Sequence, residues 1–234
     1  MSGSAKTTCL DDLRNRILSL DIAPGTDLDE KRLCDRYGIS RTPLREVLQR
    51  LSGEGILTIE DNRGAKVASM DLGTLRTFFQ TAPLIYANIG RLAAENRTTA
   101  QLEKLRSIQQ NFARVTKIGD ATSAALHNHA FHAEIGSMAH NPYLVASLNR
   151  MLIDHTRLSQ TFYRPTSVAE TVLVTRAVDQ HDAMITAIAD QDPALVVDLT
   201  LQHWDLSRDR IERFVQPDPL PLDLTEMKDL KHAI

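Results

Sequence analysis

The sequence predicts a mainly α fold, with an N-terminal winged helix-turn-helix followed by an all-α region of about six helices. Three observations predict it. Two short amphipathic segments joined by Tyr37-Gly38-Ile39-Ser40 precede a pair of strand-like runs around a tight turn. The second of these segments carries Arg41, Thr42 and Arg45 in its first turn. Beyond Val67 the apolar residues recur at helical spacing almost throughout, with no alternating runs punctuated by hairpin turns.

In the first short segment Leu28, Leu33 and Tyr37 form the inward side, and Gly38 supplies the left-handed residue that a tight helix-helix turn requires. The second segment has Leu44, Val47, Leu48 and Leu51 at i, i+3, i+4 and i+7, one apolar stripe. Arg41, Arg45 and Gln49 recur every fourth residue on another face, with Thr42 beside them. Ser40 suits the N-cap, and Pro43 falls in the first turn, where a missing N–H costs little. Gly53 and Gly55 then stop the helix. Residues 56–59 read as a strand, Asp61-Asn62-Arg63-Gly64 as a turn, and 65–67 as the returning strand. A hairpin directly after a helix-turn-helix is a wing, and its tip brings Arg63 to a phosphate or a minor groove.

The formal net charge of the whole chain, −3, argues against nucleic acid as a partner, but its distribution does not. Between Lys31 and Arg50 six basic residues accompany only Asp35 and Glu46. The basic charge is thus concentrated where a recognition helix docks by its N-terminal residues in a major groove.

Six helical runs follow, over 72–95, 100–116, 121–139, 142–163, 168–190 and 193–215. Thr99, Asn141-Pro142, Arg164-Pro165 and Asp192-Pro193 punctuate them as caps and first-turn prolines. Pro83 lies inside the first run, so that helix kinks there or starts later. Asn128 and His132, four apart, share a helix face, and His181 and His203 lie on the last two helices. Three imidazoles and an amide oxygen from three helices could hold a borderline divalent metal such as zinc or nickel.

Residues 22–67, through Ser40-Arg41-Thr42-Pro43-Leu44-Arg45 to Asn62-Arg63-Gly64-Ala65-Lys66-Val67, resemble the winged helix of GntR-family bacterial transcription regulators. The resemblance implies that Arg41, Thr42 and Arg45 contact operator DNA. Lys31, Ser40, Gln49, Asn62, Arg63 and Gly64 complete that footprint. The helical region resembles the FCD ligand-binding domain, an antiparallel six-helix bundle that is commonly dimeric. Many members of that subfamily hold a metal through an Asp-x-x-x-His pair and two later histidines. The matching residues here are Asn128, His132, His181 and His203, with asparagine where the family often has aspartate. Alignment on Arg91-Leu92-Ala93-Ala94 puts Ala82 and Tyr86 where many members carry an arginine and a glutamate. The family's arginine for an effector carboxylate is therefore missing, and Tyr86 and Arg157 are the candidate effector contacts.

The domain organisation expected is a DNA-binding domain over 1–70, a helical effector and dimerisation domain over 71–216, and a proline-broken tail over 217–234. The function expected is a ligand-responsive repressor, released by a small metabolite such as a carboxylate and acting as a homodimer on two-fold symmetric double-stranded DNA. Two other classes compete, a metal-dependent hydrolase with an accessory DNA-binding domain and an architectural DNA binder that senses nothing. Against the first, no His-Glu-x-x-His, Gly-x-Ser-x-Gly or phosphate-loop motif occurs. The second leaves the long helical region without a role. Residues 1–20 lack an apolar signal core, no run reaches 18 apolar residues, and Cys9 and Cys34 are the two cysteines; the expected setting is the cytoplasm.

Overall fold

The computed structural model describes residues 2–60 and 64–213. The wing-tip residues Asn62 and Arg63 and the tail over 217–234 lie outside the described residues. The elements in chain order are α1 (Ser2–Leu18), α2 (Glu30–Tyr37), α3 (Arg41–Gly53), β1 (Leu57–Glu60), β2 (Gly64–Val67) and six longer helices. These are α4 (Leu72–Asn96), α5 (Thr99–Lys117), α6 (Ala121–Met138), α7 (Pro142–Phe162), α8 (Val168–Ala189) and α9 (Pro193–Arg213).

α1 has no counterpart among the predicted elements. Its apolar residues are few, but Cys9, Leu13 and Ile17 fall at i, i+4 and i+8 and are completely buried. They close a small core with Leu44, Val47, Leu48 and Leu51 of α3 and with Leu57, Ala65 and Val67 of the hairpin. Each such side chain contributes roughly 1.5–3 kcal/mol by leaving water. The strands pair antiparallel, Leu57 with Val67 and Ile59 with Ala65, so alternate residues of the hairpin face that core.

α2 begins behind Asp29, whose carboxylate accepts from the Lys31 and Arg32 amides, and ends at Gly38 with φ of +62°. A side chain at Gly38 meets no neighbour, so only backbone strain opposes one there. Gly38→Ala should therefore cost about 1–2 kcal/mol, read from the urea midpoint, and leave the fold intact.

The six longer helices surround a second core that includes Leu75, Tyr86, Leu105, Phe131, Leu152, Ile188 and Trp204. One start differs from the sequence reading and one open alternative is settled. α5 is capped by Thr98 rather than Thr99, because Thr98 and Gln101 form a reciprocal capping box. α4 runs unbroken past Pro83 from its cap at Asp71, which removes the later start as an alternative. Gly136 lets α6 and α7 approach closely, since a Cβ there would stand 2.5 Å from Leu148.

The winged module is seated on α7. Ile153 joins its core, Gln160 Nε2 donates to the Leu18 carbonyl at 3.3 Å, and Arg157 donates to the Ala68 carbonyl at 2.8 Å. No helix among the described residues is long and apolar enough to cross a membrane.

Candidate DNA interface and candidate metal centre

Burying Leu44, Val47, Leu48 and Leu51 turns the opposite side of α3 outward. Arg41, Thr42, Arg45 and Gln49 are all exposed there, as are Lys31 on α2 and Ser40 before α3. Ser40 occupies the N-cap position, yet its hydroxyl makes no capping bond and remains available to another acceptor or donor. Arg45 lies 3.4 Å from Glu30, a long contact on a side chain that is two-thirds exposed, worth little in water. Gly64 opens β2 with φ of +83° and is half-buried.

α1 adds an electrostatic feature that the sequence reading missed. Lys6 pairs with Glu46 and Arg14 pairs with Glu54 at 2.8 Å. The acidic groups on and just after α3 are thereby neutralised from behind, while Arg41 and Arg45 point outward. The first turn of α3 thus meets solvent as a net positive surface.

In the bundle, α6, α8 and α9 bring His132, His181 and His203 together, with one ring nitrogen from each lying within 4.8 Å of the others. Gln109 accepts from His181 Nδ1 at 3.0 Å and Gln180 accepts from His203 Nδ1 at 3.1 Å. With those protons on Nδ1, the two Nε2 atoms turn bare lone pairs toward each other at 3.2 Å. Two lone pairs so placed repel unless a cation lies between them. Adjacent nitrogens on tetrahedral zinc, with bonds of about 2.0–2.1 Å, stand about 3.4 Å apart. The ring of His181 is further fixed by stacking on Phe131 at 3.8 Å and 7°.

Two more atoms fit the same purpose. Asn128 Oδ1 and His132 Nε2 are buried and have no hydrogen-bond partner among the described residues. A buried acceptor without a partner costs about 1–3 kcal/mol, a cost that coordination to a cation would remove. The residues present therefore fit a divalent ion, with Gln109 and Gln180 as the outer partners that orient the rings. Neither glutamine was legible in the sequence, because nothing in their spacing sets them apart.

Burial lowers every imidazole of the cluster below its ordinary value of 6.5, to about 4 for His203 and well below 6.5 for His132 and His181. The neutral form needed of a ligand is thus the resting form at neutral pH. In the metal-free protein the unfolded chain takes up protons that the folded state refuses. Stability is then full above pH 6.5 and falls as pH drops from about 6.5 to about 4. Urea unfolding midpoints across that interval measure the decline.

His155 of α7 is a fourth buried imidazole that the sequence reading passed over. Its Nδ1 lies 2.8 Å from the Tyr86 hydroxyl, and both line a cavity of about 10 Å3 with His132, Thr200, His203 and Trp204. Burial lowers His155 to about 3. The cavity has room for about one water molecule. Tyr86 is thus beside the histidine cluster, but Arg157 is not. Arg157 is fully buried between the Ala68 carbonyl and Asp154, at 2.8 and 3.0 Å, and is absent from the cavity wall. Its expected effector contact is corrected: this guanidinium ties α7 to the segment after the wing.

The chain matches two family models, "Bacterial regulatory proteins, gntR family" over residues 6–67 and "FCD domain" over residues 83–206. The chain belongs to the GntR family. It is 31% identical over 140 residues to the Glc operon transcriptional activator of Escherichia coli (strain K12), covering 52% of this chain and 55% of that protein. It is 25% identical over 203 residues to the gluconate operon transcriptional repressor of Bacillus subtilis (strain 168), covering 86% and 82%. The chain spans about half the length of the first of these relatives. Among solved structures, E. coli McbR/YncC superimposes with a TM-score of 0.75 at 18% identity, over 89% of this chain and 97% of that one. A transcriptional regulator of Rhodococcus sp. RHA1 does so with a TM-score of 0.65 at 16% identity, over 89% and 98%. This GntR-family chain therefore shares the fold of those regulators along nearly its whole described length.

Proposed function

We propose that the chain is a ligand-responsive, sequence-specific transcription regulator that binds two-fold symmetric operator DNA as a homodimer in the cytoplasm. The observation that carries this reading is the exposed row Arg41, Thr42 and Arg45 at the start of α3, braced from behind by α1. In this reading Lys31, Ser40, Gln49 and Gly64 join that row, and Asn62 and Arg63 extend it at the wing. The names of the relatives, both operon regulators, support the same class.

Asn128, His132, His181 and His203 hold a divalent cation, zinc or nickel, which supplies a Lewis-acid anchor when bound. All four donors are neutral, so a dication there keeps its full charge in a buried setting. An anionic effector relieves that cost, which favours a small carboxylate as the metabolite that releases the repressor from DNA. Tyr86 and His155 stand where such a molecule enters, and the tightness of the cavity demands either a very small effector or a movement of Trp204. The effector acts only through its difference in affinity between two arrangements of the DNA-binding domains.

Gel-shift titration with fragments of the chain's own promoter region tests this. Selective binding that a carboxylate abolishes is expected. Binding indifferent to metabolites would point to an architectural role, and turnover without DNA binding to an enzyme. Sedimentation at micromolar concentration should give a dimer; a monomer would remove the basis for a two-fold operator.

A further inference from the structure

We propose a second small-molecule site, separated from the histidine cluster by Phe112, that takes a compact and largely apolar ligand bearing one neutral hydroxyl or carbonyl. The site is a cavity of about 580 Å3 between the C-terminal part of α5, the start of α6, the end of α7 and the first half of α8. That size suits a small organic molecule.

Its wall is largely apolar, with Ala121, Ala124, Val174 and Val178, and carries two hydroxyl-bearing side chains, Tyr163 and Thr116. Tyr163 is 6% exposed, with its ring held at 5.5 Å from Phe112 and 5.1 Å from Phe162, and its hydroxyl makes no hydrogen bond among the described residues. Thr116 Oγ1 is buried and likewise unpartnered. The second case is informative because several helical threonines of this chain turn back onto the carbonyl four residues earlier. Thr171, Thr175 and Thr186 do so at 3.0–3.1 Å. Thr116 forgoes that bond while lining the cavity, and rotation about its Cα–Cβ bond would bring the hydroxyl to an occupant.

The chemical class follows from charge. Burial raises the Tyr163 phenol above its ordinary range, so it stays a neutral donor. Lys117, Asp120 and Asp179 leave the wall with a net formal charge of −1, which disfavours an anionic ligand. Val178 of this wall also accepts from Gln109 Nε2 at 3.0 Å, and the same Gln109 accepts from His181 at 3.0 Å. Phe112 touches both Tyr163 and His181, at 5.5 and 4.8 Å between ring centres. Occupancy of the cavity is therefore read at His181. That link rests on the metal reading given above; the site itself does not.

Calorimetric titration of the full chain with p-cresol, as purified and after adding zinc, tests the proposal. Saturable binding of one p-cresol per chain is expected, weakened at least tenfold by Tyr163→Phe or by Thr116→Val, with p-toluate binding at least tenfold more weakly than p-cresol. Both substitutions remove one oxygen and keep the packing, and thermal melting checks that each variant is folded. No saturable binding, or binding that neither substitution alters, overturns the site whatever becomes of the metal. For the link, p-cresol should change zinc affinity at least threefold in competition with a chromophoric chelator; an unchanged affinity in protein that binds both overturns it.

Discussion

Arg45→Ala will weaken binding to the cognate operator by about 1–3 kcal/mol, roughly tenfold to a hundredfold, while binding to random DNA changes far less. The expectation comes from position. Arg45 is one helical turn into α3, off the buried apolar stripe of that helix, and its side chain is two-thirds exposed. An arginine so placed would reach a guanine edge through two parallel hydrogen bonds, which alanine cannot replace. Fluorescence anisotropy at two or more salt concentrations separates the alternatives. An equal loss on specific and random duplexes, with a salt slope lower by about one, makes Arg45 a phosphate contact instead. The substitution should leave thermal stability unchanged, because the long contact to Glu30 is a surface pair.

The second large effect is on the metal. The double substitution of His181 and His203 by alanine should abolish bound divalent metal by elemental analysis. A ligand at a hundred times its dissociation constant stabilises the folded state by about 2.7 kcal/mol. For a chain of this size that is a rise of about 5–10 °C in melting temperature, lost in the variant. Alanine at these positions also removes packing against Phe112 and Phe131, so lower stability alone does not decide the matter. The deciding comparison is the response to a chelator. Wild-type protein should melt earlier once stripped and recover with zinc, whereas the variant should respond to neither. Undiminished metal in the variant would place the ion elsewhere.

Much of this molecule was readable before any coordinates. The six long helices begin and end within a few residues of the predicted runs, because residues such as Asn141 and Asp192 announce their starts chemically. α3 was legible because its apolar stripe, its proline and its arginines serve one geometry. α1 was not, since five buried apolar positions in seventeen residues barely exceed what a polar segment shows. The Thr98 cap was misplaced by one residue because two threonines stand side by side, and only the Gln101 side chain chooses between them.

The histidine cluster divides in the same way. Four-residue spacing places Asn128 and His132 on one face, but His181 and His203 could be drawn together only through the family resemblance. Arg157 shows the limit most plainly. In the sequence it was a cation on a helix and a candidate partner for an anion, yet in the fold it is sealed beneath the winged module, on Asp154 and Ala68.

The sequence by itself determined the helices from α2 onward, the wing strands and the arginine-bearing face of α3, because periodicity and caps are local properties of the chain. The tertiary structure alone decided which lone pairs face one another, which cations are already paired and where space remains. Those depend on side chains such as Gln109 and His181, 72 residues apart, whose meeting no local pattern encodes.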